Sequence, residues 1–154
     1  MIFSLAAATL LNAAAVQAPI SNDQLPNLFV SACLDGSVRL GATEATPIQF
    51  SELPNGLRSR LGNPSSSKVW QLRGADKSYL YLLDYAGTAN PKICGVAGEN
   101  LALRSASATV GARLSAQPAA ESTSKSTEWL DSRYRALATR AGGFTILQLN
   151  WLGQ

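Results

Sequence analysis

Two cysteines, Cys33 and Cys94, constrain this chain more than any other feature, because they sit in segments of opposite periodicity about 60 residues apart. The apolar run Met1 to Ala18 points to export, and in an oxidising compartment an even cysteine count reads first as a disulfide; two buried thiols are the alternative. Closing a loop of that length stabilises a fold by about 4 kcal/mol in the chain-entropy model, a large share of a small domain's net stability. A fold that makes the bond must lay the segment around Cys33 on the segment around Cys94.

The first segment is helical in period. Leu25, Leu28, Phe29, Ala32 and Cys33 fall at i, i+3, i+4, i+7 and i+8, one stripe of an amphipathic helix over 24–35. Asp23 is its expected N-cap, Pro26 lies in the first turn where a missing N–H costs little, and Gly36 ends it. A second helix is expected over 52–61, capped by Ser51, with Leu53, Leu57 and Leu61 on one face and Gly62 closing it. A third is expected over 101–114 from Leu103, Ala106, Val110 and Leu114.

The Cys94 segment is strand-like. KVWQLRG and YLYLLDYAG form a hairpin around residues 75–78, and KICGVAG follows as a third strand. The alternation there is read as grouping Cys94 with Lys92, and with Val96 only through a bulge, for which Gly95 is suited; the alternative is a strand apolar on both faces. SRYRALATRA and FTILQLNWL flank Gly142-Gly143, a dipeptide suited to the positive φ angles of a tight turn. VRLGATEATPIQF is a loop or short edge strand, and SAQPAAESTSKST is a low-complexity, mobile loop. The expected fold is α+β, an antiparallel sheet of about five strands with about three helices largely on one face, in the order ααβββαββ.

Residues 1–18 carry no charge and are followed by Pro19, Asn22 and Asp23, which suits a signal peptide better than the roughly 20-residue span of a membrane helix. Cleavage is expected after Ala18 or, because proline hinders the former, after Ala15. Residues 19–154 then form a single α+β domain, periplasmic or secreted, with no stable membrane span after processing. Val30-Ser31-Ala32-Cys33 has the shape of a lipidation box, but no continuous apolar stretch leads into it.

The chain contains no histidine, which removes Ser-His-Asp and Cys-His catalysis and ordinary zinc sites. No metal or cofactor is expected. Ser65 to Lys68 and Ser122 to Lys125 match the Ser-x-x-Lys spacing of penicillin-binding enzymes without the companion motifs, so neither carries that chemistry. A histidine-free glycosidase needs paired carboxylates, and of Asp84, Glu99, Glu128 and Asp131 only Asp84 stands out, a charge inside an apolar strand: an edge position, a partner of Arg73, or a site residue. Tyr79, Tyr81 and Tyr85 share one strand face; with helices on the leucine side they would line an open surface able to hold a sugar or peptide, and otherwise they pack on neighbours such as Tyr134. The formal charge of +3 is scattered, which argues against nucleic acid as a partner.

FVSACLDG, YLYLLDYAG with PKICGVAG, and the closing FTILQLNWL together resemble a group of small exported proteins of Gram-negative bacteria. The resemblance covers most of the mature chain and brings no activity or site residue with it. The expected function is a non-enzymatic periplasmic binding or structural module whose partner is an envelope component or a protein, with Tyr79, Tyr81, Tyr85 and Asp84 as candidate ligand contacts. The alternative is a histidine-free hydrolase of cell-wall or glycan material.

Overall fold

The computed structural model describes residues 19–37, 40–88, 92–114, 118, 123 and 125–153; the segment 1–18, expected to be a signal peptide, lies outside them. The strands are β1 (Ala45–Ile48), β2 (Ser66–Leu72), β3 (Ser78–Asp84), β4 (Lys92–Gly98), β5 (Ser126–Leu130), β6 (Tyr134–Ala141) and β7 (Phe144–Trp151). All seven join one antiparallel sheet in the order β1-β2-β3-β4-β7-β6-β5, two strands more than the expected five. One addition, β1, is the short edge strand that the sequence left open against a loop. The other, β5, takes up the last two residues of the low-complexity tract; Pro118 and Thr123 of that tract form isolated bridges, and most of its other residues lie outside the described ones.

The helices are α1 (Leu25–Phe29), which widens into a π turn over Val30–Leu34, α2 (Asn55–Leu61) and α3 (Leu103–Arg113). They are not on one face. Leu25, Phe29 and Cys33 of the first and Ala106 and Val110 of the third pack on Leu80, Cys94, Val96, Leu147 and Leu149. Leu53, Leu57 and Leu61 cover the opposite face, against Val69, Tyr79, Tyr81, Leu83 and Ile146. Helix α2 can settle there because Gly56 and Gly142 pass backbone to backbone, where a Cβ on either would collide with the other chain segment. Residues 144–149 of β7 are consequently buried on both faces.

Local signals differ from expectation at the helix starts. Gln24 Oε1 accepts from the Ser21 N–H at 2.8 Å and Glu52 Oε2 from the Gln49 N–H at 2.6 Å, so the caps are built around Ser21 and Gln49 rather than Asp23 and Ser51. The second helix accordingly starts as a 3-10 turn over Phe50–Glu52 and becomes α-helical only after Pro54. The stops are as expected, with Gly36 and Gly62 at φ of 62° and 72°. Gly142 and Gly143, at 60° and 85°, make the β6–β7 turn.

Cys33 and Cys94 form a disulfide, with their Cα atoms 5.5 Å apart. No bulge is needed to bring Cys94 onto the helix side. Positions two apart in a strand share a face, so Lys92, Cys94 and Val96 all point the same way along an unbroken register from Lys92 to Gly98. Of the two readings, a bulge at Gly95 or a strand buried on both faces, the second holds from Cys94 to Gly98. Among the described residues no helix is long and apolar enough to cross a membrane.

Candidate functional site

The tyrosine row faces α2 and is covered by it. Tyr81 is 0% exposed and Tyr79 7%, and Tyr85 is half-buried. The Tyr81 ring lies across Gly95, its partner on β4, where any Cβ would overlap the ring, and its hydroxyl donates to Gln148 Oε1 at 3.0 Å on the next strand. Tyr85 donates to the Leu61 carbonyl at the end of α2, and Tyr79 meets Phe144 edge-on at 6.2 Å. Burial raises the pKa of all three phenols. Tyr134, expected as their neighbour, is on the other face of the sheet. These three rings pack under the α2 layer, and the buried Tyr79 and Tyr81 present no open surface to a ligand.

The open part of the sheet is on the α1/α3 side, beyond the disulfide. There the register sets one residue from each of five strands side by side: Ser66, Asp84, Lys92, Trp151 and Tyr134, a row about 19 Å long at ordinary strand spacing. The next row inward begins with Lys68, Leu82 and Cys94. All of these except Tyr134 line a groove of about 310 Å³ whose inner wall is the buried Cys94 and whose floor includes Leu82, 40% exposed, and the half-buried indole of Trp151.

The polar groups of this groove divide into fixed and free. Asp84 is fixed: Oδ2 accepts from Ser66 Oγ at 2.7 Å, and its carbonyl oxygen accepts from the N–H and Oγ of Ser65 at 2.8 and 3.0 Å. The first Ser-x-x-Lys match is thus a strand-opening clamp on Asp84, with no helix start behind the serine. Of the second match only Thr123 and Lys125 are among the described residues. Arg73, the partner in one of the three readings offered for Asp84, instead donates to Thr46 Oγ1 at 3.0–3.1 Å. Lys68 and Lys92 flank Leu82 and Asp84, are exposed, and among the described residues enter no ion pair. Their strands lie about 10 Å apart.

The other acids are elsewhere and engaged. Glu99 pairs with Lys77, Glu128 with Arg135 and Asp131 with Arg133. Glu128 is four strands from Asp84, about 19 Å, Asp131 sits at the β5–β6 turn at least three strands away, and Glu99 lies past the far end of β4. The two carboxyls of a glycosidase stand no more than about 9.5 Å apart, so Asp84 forms no such pair with Glu128 or Asp131. Among the described residues no cluster of three or more potential metal ligands occurs. Of the ligand contacts expected from sequence only Asp84 reaches the groove, together with Cys94, Lys92 and Ser66 to Lys68 of the first Ser-x-x-Lys match. Comparison with family models, with curated proteins and with solved structures returns no match.

Proposed function

We propose that the chain is an exported, non-enzymatic binding module of the bacterial envelope, and that its ligand seat is the groove at Trp151. One observation carries the reading: an exposed leucine lies between two lysines that enter no ion pair among the described residues, with an indole on the strand beyond Lys92, on a stretch of sheet no described helix residue lines. Such a mixture of apolar floor and a few convergent polar groups is what small-ligand sites are made of. A disulfide with one end in a strand and the other in a helix, and the likeness to small exported proteins, support the compartment.

The test is a thermal-shift screen of the mature protein against glycans, peptidoglycan fragments and small metabolites, with product analysis of every hit. A compound that raises the melting temperature and is recovered intact is the expected outcome, and turnover of that compound contradicts it. N-terminal sequencing of the protein from the periplasm or medium is expected to begin at Val16 or Pro19; an intact Met1 or a lipid on Cys33 contradicts the export route.

A further inference from the structure

Trp151 is not the end of the groove. On its other side the same indole lines a second hollow of about 200 Å³ with Leu34, Asp35, Arg113, Arg133 and Tyr134. Tyr134 braces Trp151 edge-on at 5.9 Å, and the Arg133 guanidinium sits 5.8 Å from the Tyr134 ring centroid. Each hollow therefore carries an excess of one positive charge in its lining, Lys68 and Lys92 against Asp84 on one side, Arg113 and Arg133 against Asp35 on the other. The Asp35–Arg113 contact, at 3.5 Å, and the Asp131–Arg133 contact, at 3.3 Å, each hold an exposed guanidinium and contribute little, so either arginine can turn to a ligand.

We infer that the seat takes a linear acidic glycan, a chain of sugars bearing carboxylates, which crosses Trp151 with one acidic residue at Lys68 and Lys92 and another at Arg133. This rests on the groove being the ligand seat. Three features select the class. Strands β3, β4 and β7, which supply most of the floor, are interior, with their ladders occupied on both sides, so an extended peptide cannot add to the sheet here. An indole wall suits the apolar face of a sugar ring, while the Asp84 carboxylate and Ser66 hydroxyl stand ready to accept sugar hydroxyls. Two separated cationic ends match a polymer whose negative charges recur along its length.

The experiment is calorimetric titration of the mature protein with a hexuronic acid tetrasaccharide, its fully methyl-esterified neutral form, the monosaccharide, and a tetraglutamate peptide. The acidic tetrasaccharide is expected to bind, the other three at least about tenfold more weakly. Lys68→Gln and Lys92→Gln are expected to weaken the tetrasaccharide about tenfold each, and Arg133→Gln to weaken it while leaving the monosaccharide unchanged. Equal binding of the ester overturns the charge requirement, tighter binding of the peptide overturns the glycan class, and indifference to Arg133→Gln overturns the crossing of Trp151; in these cases a drop in Lys68→Gln keeps the groove itself as the seat. Absence of binding by the tetrasaccharide overturns the inference, whereas the groove falls only if hits from the thermal screen are unaffected by Lys68→Gln and Lys92→Gln.

Discussion

Tyr81 shows how one side chain can serve the fold while looking like a ligand contact. Its ring fills the space that Gly95 leaves on the neighbouring strand and its hydroxyl reaches Gln148 on the strand after that, so a single residue ties β3, β4 and β7 together under α2. Tyr81→Phe strips the donor from a buried amide oxygen and is expected to cost about 1–3 kcal/mol, read from denaturant unfolding. Burial is the main cause that raises the Tyr81 pKa, with the Tyr85 phenol adding to it and Arg60 opposing. The folded chain then keeps this proton above the ordinary tyrosine range of about 10, while the unfolded chain gives it up there. Stability from this group is complete below that range and falls as pH rises past it, and Tyr81→Phe is expected to flatten the alkaline fall. An unchanged alkaline limb would show that another buried phenol, such as Tyr85, governs it. At the other face, Lys68→Gln and Lys92→Gln alter exposed positions and are expected to leave unfolding within about 0.5 kcal/mol of the parent.

The elements most legible in the sequence are those whose signal is local. The stripe from Leu25 to Cys33, the Gly142-Gly143 turn and the β2–β3 hairpin need only spacing and φ preference, and all three stand where spacing puts them. Strand β5 escaped because Ser126-Thr127-Glu128-Trp129-Leu130 buries only Trp129 and emerges from a polar tract, so alternation hardly registers. Helix α2 was legible as amphipathic, but the leucines of 53–61 do not say which face of a sheet they cover. That choice depends on the close passage of Gly56 and Gly142, 86 residues apart in sequence. Gly142→Ala, strained by both its positive φ and the collision with Gly56, is expected to destabilise by more than about 1 kcal/mol and to loosen α2 first in hydrogen exchange. Removing the disulfide by Cys33→Ser with Cys94→Ser is expected to lower stability by about 2–5 kcal/mol, with protection lost earliest between Leu25 and Leu34.

At the scale of the whole molecule the decisive fact is sheet order. Inserting β7 between β4 and β6 is what lines up Ser66, Asp84, Lys92, Trp151 and Tyr134, five residues spread over 86 positions that no motif search joins. Only Asp84 was marked beforehand as a candidate ligand contact, as a charge out of place in an apolar strand. The same order puts Pro47 in one edge strand and an isolated Pro118–Trp129 bridge on the other, both of which blunt edge-to-edge association. The interior strands are thereby left to carry the groove on one face while the α2 layer covers the tyrosines on the other. The most direct measurement of that division is an amide and indole NMR titration of the mature protein with the hexuronic acid tetrasaccharide. Shifts confined to Ser66, Lys68, Leu82, Asp84, Lys92, Arg133 and the Trp151 indole, with Tyr79, Tyr81 and the α2 amides unmoved, are the predicted result. Shifts centred on Tyr79 to Tyr85 and α2 would contradict it.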